Sequence, residues 1–282
     1  MFLRALIVLL VLVVAGYGGA LVWLKAHQRE FIYFPGKAHV PPSRVNLDEF
    51  QAVEIRTPDG ERLVGWWKPP PRPGEGVVLY LHGNGSDLTD RAPRFRDLGV
   101  AGFGVLGIDW RGYGGSTGKP SETGLNTDAL AAYDWIRAQR PDAKIAVFGE
   151  SLGTGPSMYL ATRRPVAGVL IDSGYASILR LASRQMPLVP VSWLLTDTYK
   201  AEDRVAHINA PLLMAHCDAD DVIPITEGRR LFAAAREPKQ MLVLHGCGHV
   251  ETWREPQQSY MISRLHTWLD PQAGGAIAPK KE

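Results

Sequence analysis

Apolar and polar positions give this chain three successive rhythms. From Ala5 to Leu24, "ALIVLLVLVVAGYGGALVWL", twenty residues pass without a charge, between Arg4 and Lys25. Two short alternating runs follow, "AVEIR" (52–56) and "RLVGWWK" (62–68), with the turn sequence "TPDG" between them, and they predict a β-hairpin. Then come six short, nearly continuous apolar runs at 77–82, 103–109, 144–149, 166–172, 211–216 and 240–246. Strands of a parallel sheet covered on both faces read this way. Between them lie helical patterns. Leu125, Ala129, Ala132, Tyr133 and Ile136 share one helical face, and so do Ile262, Leu265 and Leu269. Alternating β and α elements predict a doubly wound α/β domain.

Four segments fall outside that alternation. At about 1.5 Å per residue, the first twenty apolar residues make a helix of roughly 30 Å, the thickness of a bilayer's hydrocarbon core. Residues 1–27 are therefore expected to form a single-pass membrane anchor, spanning at about 5–24. A cleaved signal peptide, with Gly18 and Ala20 before the cut, is the competing reading. Residues 25–50 are expected to be an extended linker, because Pro35, Pro41 and Pro42 discourage a long helix. Residues 173–210 interrupt the alternation with "LRLASRQMPLVPVSWLLTD", in the place of a cap over an active site. A disordered tail is expected over 271–282, leaving 28–270 as the soluble domain.

Composition changes this picture little. With 282 residues, 45% of them hydrophobic, there is ample material for one large core. A net charge of +2 gives no ground for a nucleic-acid partner. Charges flanking the apolar segment conflict: Arg4 favours an N-terminus inside, while Lys25, Arg29 and Lys37 put more positive charge on the other side. The soluble domain is assigned to the extracytoplasmic side.

The strongest chemical signal is "VFGESLGTG" (147–155), a G-x-S-x-G run that follows a strand and precedes a helix. Gly149 and Gly153 leave room for a turn so tight that Ser151 stands exposed as a nucleophile. Such a serine needs a base, an orienting acid and oxyanion donors. His249, in "HGCGHVETW" after the last strand, supplies the base. The backbone N–H groups of Asn84, in "LHGNGS", and of Leu152 supply the oxyanion hole. His82, Asp109 and Arg111 are expected to brace neighbouring loops. The acid is expected after the penultimate strand, in "HCDADDVIP" (216–224), which offers Asp218, Asp220 and Asp221; Asp172 ends the preceding strand.

Two rival uses exist for this region. His216, Cys217, Asp218 and Asp220 together with His245, Cys247 and His249 make a conceivable zinc set. That reading leaves Ser151 and its glycines without a purpose, so no metal or cofactor is assigned. Cys217 and Cys247 are expected to be buried free thiols, although the adjacent strands that they follow also bring them within disulfide reach.

With "FIYFPG" (31–36), "LHGNG", "DWRGYGGSTGKPSETG" (109–124), "GESLG", "APLLMAHCDADDVIP" and "GCGHVETW", the chain resembles the α/β-hydrolases over residues 28–270. It looks most similar to membrane-tethered ABHD-type depalmitoylases and lysophospholipid lipases, and to related bacterial esterases. Their penultimate-strand motif resembles H-G-x-x-D-x-x-V-P. Laid on residues 216–224, it implies Asp220 as the acid and puts Cys217 where glycine is usual. The resemblance implies an α/β-hydrolase fold and a Ser151–His249–Asp220 serine hydrolase acting on small-molecule or lipid esters and thioesters. An acyltransferase or a peptidase would use the same residues. A binding-only protein normally lacks one of them. Oligomeric state is left open.

Overall fold

The six apolar runs and the hairpin assemble into one sheet. The computed structural model describes residues 1–36, 39–72, 74–85 and 87–270. The strands are β1 (Gln51–Arg56), β2 (Arg62–Lys68), β3 (Val77–Leu81), β4 (Gly104–Ile108), β5 (Ile145–Glu150), β6 (Gly168–Asp172), β7 (Leu212–Cys217) and β8 (Lys239–Leu244). Their spatial order is β1-β2-β4-β3-β5-β6-β7-β8. The hairpin adds antiparallel to β4, and every pair from β4 to β8 is parallel.

Alternation along each strand feeds two apolar layers. In β3, Val77, Leu79 and Leu81 face one layer, while Val78 and Tyr80 face the other. Helices α2 (Ala92–Val100) and α9 (Gln257–Leu269) cover the Val78 face with Phe95, Leu98, Leu265 and Leu269. The opposite face is covered by α3 (Glu122–Gln139), α4 (Thr154–Ala161) and α8 (Ile225–Ala234). Leu125, Ala129, Ala132, Tyr133 and Ile136, the expected inward stripe of α3, are all buried. Ser121 starts that helix by accepting the Gly124 N–H at 3.0 Å, an N-cap bond.

After β3 the chain crosses to β4 on one side and returns to β5 on the other. Loops leaving the carboxyl ends of β3 and β5 diverge there, opening the crevice where ligands bind in sheets of this kind. The Asn84 loop and Ser151 lie at this switch point.

Helix α1 (Phe2–His27) is long and apolar enough to cross a membrane, a property signal sequences share. Residues 25–50 differ from the extended linker expected of them. Their first three residues complete α1, and 3-10 turns follow at Gln28–Phe31 and Pro42–Val45. Tyr33, Leu47 and Phe50 are buried against the domain. Three prolines prevented a long helix but did not prevent docking: Tyr33 follows the first 3-10 turn, and Leu47 and Phe50 follow the second, against the core. Between β6 and β7 lie α5 (Ile178–Gln185), α6 (Val191–Leu194) and α7 (Ala201–Val205). The expected tail, 271–282, lies outside the described residues.

Candidate active site

Ser151 follows β5 directly, opening a single 3-10 turn (Ser151–Gly153) that runs into α4. Its φ is +48°, a left-handed conformation that a non-glycine residue adopts only under constraint. Both flanking glycines are sterically required. A Cβ on Gly153 would collide with the carbonyl oxygen of Leu81, and one on Gly149 with Ser157 Oγ. Tyr175 secures the start of the helix: its hydroxyl donates to the Leu152 carbonyl at 3.1 Å and accepts the Gly155 N–H at 3.1 Å.

His249 lies between Ser151 and Asp220. Its Nε2 is 2.9 Å from Ser151 Oγ, and its Nδ1 is 2.8 Å from Asp220 Oδ2. Ser151 and Asp220 are buried, and the imidazole is 20% exposed, enough for a substrate to reach it. The second carboxylate oxygen of Asp220 accepts the N–H groups of Val222 and Ile223, at 3.0 and 2.7 Å. His216 braces that turn by donating Nε2–H to the Ile223 carbonyl at 2.8 Å. Burial alone would raise the Asp220 carboxyl. The hydrogen bonds from His249 and Ile223, with the His249 and His216 charges, outweigh burial and hold it below the ordinary aspartate value.

The other aspartates separate from this relay. Asp218 is exposed and pairs with His245 at 2.6 Å. Asp221 is exposed. Asp172 is buried, and Arg94 holds it at 2.8 Å. The conceivable zinc donors are thus divided among different partners. Cys217 and Cys247 form a disulfide with Cα atoms 5.3 Å apart, which corrects the expectation of free thiols. Parallel pairing of β7 with β8 sets Cys217 beside Leu244, and a loop with left-handed Gly246 carries Cys247 back to it. The bond joins the end of the acid strand to the loop holding His249.

Asn84 lines the same cavity as Ser151 and Leu152. Its side-chain oxygen accepts the Phe34 and Gly85 N–H groups at 3.0 Å each and the Tyr113 hydroxyl at 2.8 Å, which fixes the loop. Its own backbone N–H has no protein acceptor among the described residues. His82 and Arg111 are bracing residues, as expected. His82 donates Nδ1–H to the Gly83 carbonyl at 2.7 Å, and burial lowers its imidazole to about 3. Arg111 spans Asp128 and Asp59, both at 2.7 Å. Asp109 accepts the Leu88 N–H at 3.0 Å; burial, with the Asp87 charge adding, pushes its carboxyl up to about 8.

One cluster escaped the sequence reading. Glu150, inside the elbow motif, is buried and paired with Arg91 and with Arg94, the latter at 3.0 Å. Tyr80 donates its hydroxyl to the same carboxylate. Burial would raise the Glu150 carboxyl, but the Arg94 and Arg91 charges override it and bring it to about 2. Arg94 also donates to the Val250 carbonyl at 2.8 Å, so one guanidinium connects the elbow, the end of β6 and the residue after His249. An available signal was the charge at the last position of a buried strand, since such a charge requires a partner.

A cavity of about 390 Å³ opens at Ser151. Its walls are mainly apolar, from Ile178, Leu181, Met186 and Leu194 of the 173–210 segment and from Leu24 and Phe31 of the N-terminal segment.

Comparison with known proteins agrees with this architecture. A family model described as the alpha/beta hydrolase fold matches residues 76–206, which include the Asn84 loop and the elbow. Over 234 residues the chain is 40% identical to the uncharacterized protein Rv2307c of Mycobacterium tuberculosis, covering 82% of this chain and 83% of that one. It is 31% identical over 193 residues to lysophosphatidylserine lipase ABHD12 of Macaca fascicularis, spanning 60% of this chain and 48% of that protein. The solved Pyrococcus furiosus esterase Pf2001 has a TM-score of 0.69 at 22% identity, covering 85% of this chain and 99% of its own, a likeness of fold. Sheet order, the strand–elbow–helix unit and these matches agree, and the chain belongs to the α/β-hydrolase superfamily.

Proposed function

We propose that this protein is a membrane-tethered serine hydrolase that cleaves ester or thioester bonds of lipophilic acyl groups. The observation that carries the reading is the continuous relay from Ser151 Oγ through His249 to Asp220, with links of 2.9 and 2.8 Å. In the proposed reaction Ser151 Oγ attacks the acyl carbonyl as its proton passes to His249 Nε2. Asp220 holds the imidazole with Nδ1–H facing the carboxylate and stabilises the imidazolium. The N–H groups of Asn84 and Leu152 stabilise the tetrahedral oxyanion, each donor contributing about 3 kcal/mol. His249 returns the proton to the leaving oxygen or sulfur. Water, deprotonated by the same histidine, then releases the acid from Ser151. These steps require no metal or organic cofactor.

Two further observations support the cellular side of the reading. A disulfide beside the site suits an oxidising compartment, which favours the domain lying outside the cytoplasm despite Lys25 and Arg29 on that flank. The apolar helix α1, with residues 28–270 as the catalytic domain and 173–210 as its cap, suits a membrane anchor. Labelling with a fluorophosphonate probe, and turnover of p-nitrophenyl esters of graded chain length, test the chemistry. Ser151→Ala is expected to abolish labelling and to lower kcat by about 10⁴-fold or more. Undiminished labelling of that variant refutes the mechanism.

A further inference from the structure

Helix α1 and the cap are clamped together along a seam. Tyr17 donates its hydroxyl to the Leu188 carbonyl at 2.6 Å. Gln28 accepts the Thr196 N–H at 2.6 Å and donates to the Leu194 carbonyl at 3.3 Å. Arg29 and Tyr33 both reach the buried carboxylate of Asp197, at 2.9 and 3.0 Å. The Ser151 cavity lies in this seam, with Leu24, Gln28 and Phe31 on one side and Met186, Val189 and Leu194 on the other. One wall of the pocket is therefore the end of the apolar helix itself.

The clamp also fixes where the cap's tip lies relative to a bilayer. Tyr17 precedes Leu24 by seven residues, which is about 10 Å along a helix. The tip thus reaches back along the apolar helix, well past its end. Leu188 and Trp193 on this tip are 86% and 82% exposed, a large apolar pair left without protein cover. Where α1 lies in hydrocarbon, these side chains lie beside it. Backbone groups at that depth need internal partners. The Leu188 carbonyl has one in Tyr17, whose hydroxyl sits in an otherwise apolar stretch.

We propose that the cap tip, residues 186–193, is embedded in the bilayer beside α1, and that the pocket draws the acyl chain of a membrane lipid sideways through the seam between them. Insertion rests on α1 being a membrane anchor; lateral loading rests also on the serine-hydrolase reading. The covering partner is lipid, because the patch is continuous with the apolar helix.

The full chain reconstituted in phosphatidylcholine vesicles tests both parts. Vesicles with bromine on the acyl chains quench tryptophans in the hydrocarbon, and Trp193→Phe subtracts one of the protein's eight. Wild type is expected to lose a larger fraction of its emission than Trp193→Phe. Equal fractional quenching overturns insertion. Leu188→Asp then places a carboxylate at the tip, outside the pocket lining. Turnover of a long-chain ester dissolved in the vesicles is expected to fall by about 10²-fold, the penalty of a charge in hydrocarbon. Turnover of a soluble short-chain ester stays at the wild-type rate. A loss shared equally by both substrates, or a loss on neither, overturns lateral loading. If Ser151→Ala leaves both rates intact, the proposed chemistry fails instead, and the quenching result still decides insertion.

Discussion

Replacing Asp220 with asparagine changes one charge and almost no volume, so its consequence can be worked from the hydrogen bonds. One oxygen of Asp220 takes the N–H groups of Val222 and Ile223, and the other takes Nδ1–H of His249 at 2.8 Å. In the variant, the amide oxygen stays with the two backbone donors, since an NH₂ there would face N–H groups. The NH₂ then faces Nδ1, which must become an acceptor, and the imidazole proton moves to Nε2. Nε2–H now points at Ser151 Oγ, 2.9 Å away, and the base is lost. A wrong tautomer in a serine relay lowers kcat by about 10⁴-fold, equal to about 5.5 kcal/mol at 1.36 kcal/mol per decade. The assay is kcat on a short-chain p-nitrophenyl ester, with thermal melts to verify folding. Asp218→Asn and Asp221→Asn are expected to stay near wild type, because both carboxylates are exposed and outside the relay. The Asp220 carboxyl lies below the ordinary value of 3.8, so its stabilisation is complete above that pH and is lost as pH falls through the folded-state value. Asp220→Asn should therefore flatten the acid side of the melting profile. An Asp220→Asn enzyme that keeps more than about a tenth of wild-type kcat refutes this reasoning, as does a collapse confined to Asp218→Asn.

Other substitutions separate fold from chemistry. With its carboxyl raised to about 8, Asp109 keeps a proton when folded that the unfolded chain has released. That contribution is complete below about pH 4 and fades as pH rises through 8; Asp109→Asn should remove this slope from melting temperature measured across the range, and an unchanged slope refutes it. Cys217 and Cys247 are 30 residues apart, a loop whose closure corresponds to about 3.5 kcal/mol in the chain-entropy view. The Cys217→Ser, Cys247→Ser double variant should lose roughly that much in denaturant titration, and an undiminished stability contradicts the bond's structural role. Arg94→Met leaves Asp172 without its guanidinium and Glu150 with Arg91 as its one remaining ion-pair partner among the described residues. A loss of about 3–5 kcal/mol is expected in the same titration; a variant as stable as wild type shows that the cluster is not structurally important.

The sheet was legible because burial on both faces leaves little choice of residue: runs such as "VVLYL" read as strands with no help from their neighbours. The elbow was legible for a steric reason, since Gly149 and Gly153 have no room for a Cβ. Asp220 was less so. Three acids occupied one loop, and only family spacing distinguished the one that now faces His249. Features carried by long-range pairing were missed. Arg94 reaches Glu150 across 56 positions and Val250 across 156, and neither separation leaves a periodic trace. The docking of residues 25–50 failed to register for the same reason, because Arg29 and Tyr33 meet Asp197 from 168 and 164 positions away. The disulfide was judged on proximity alone, and proximity allows two thiols as readily as one bond.

These contacts divide the site into two mechanical parts. The groups assigned to chemistry are held by the core: the elbow by packing against Leu81, the acid loop by its own N–H bonds and His216, and the histidine loop by Arg94 and the disulfide. Moving any of them disturbs buried charge or backbone, so their geometry is stiff, as preorganised donors and a proton relay require. The apolar wall is held differently. Leu24 lies in α1 and Phe31 in the 3-10 turn that follows it. Asp197, held by Arg29 and Tyr33, pins this seam, but the remaining contact with the 173–210 segment is a few hydrogen bonds from Tyr17 and Gln28, mostly at the surface, each worth about 1 kcal/mol. Bonds of that size open and close readily. A pocket with a rigid floor and one yielding wall can keep a reacting carbonyl in register while accepting chains of different length, and the yielding wall is the segment proposed to reach the membrane.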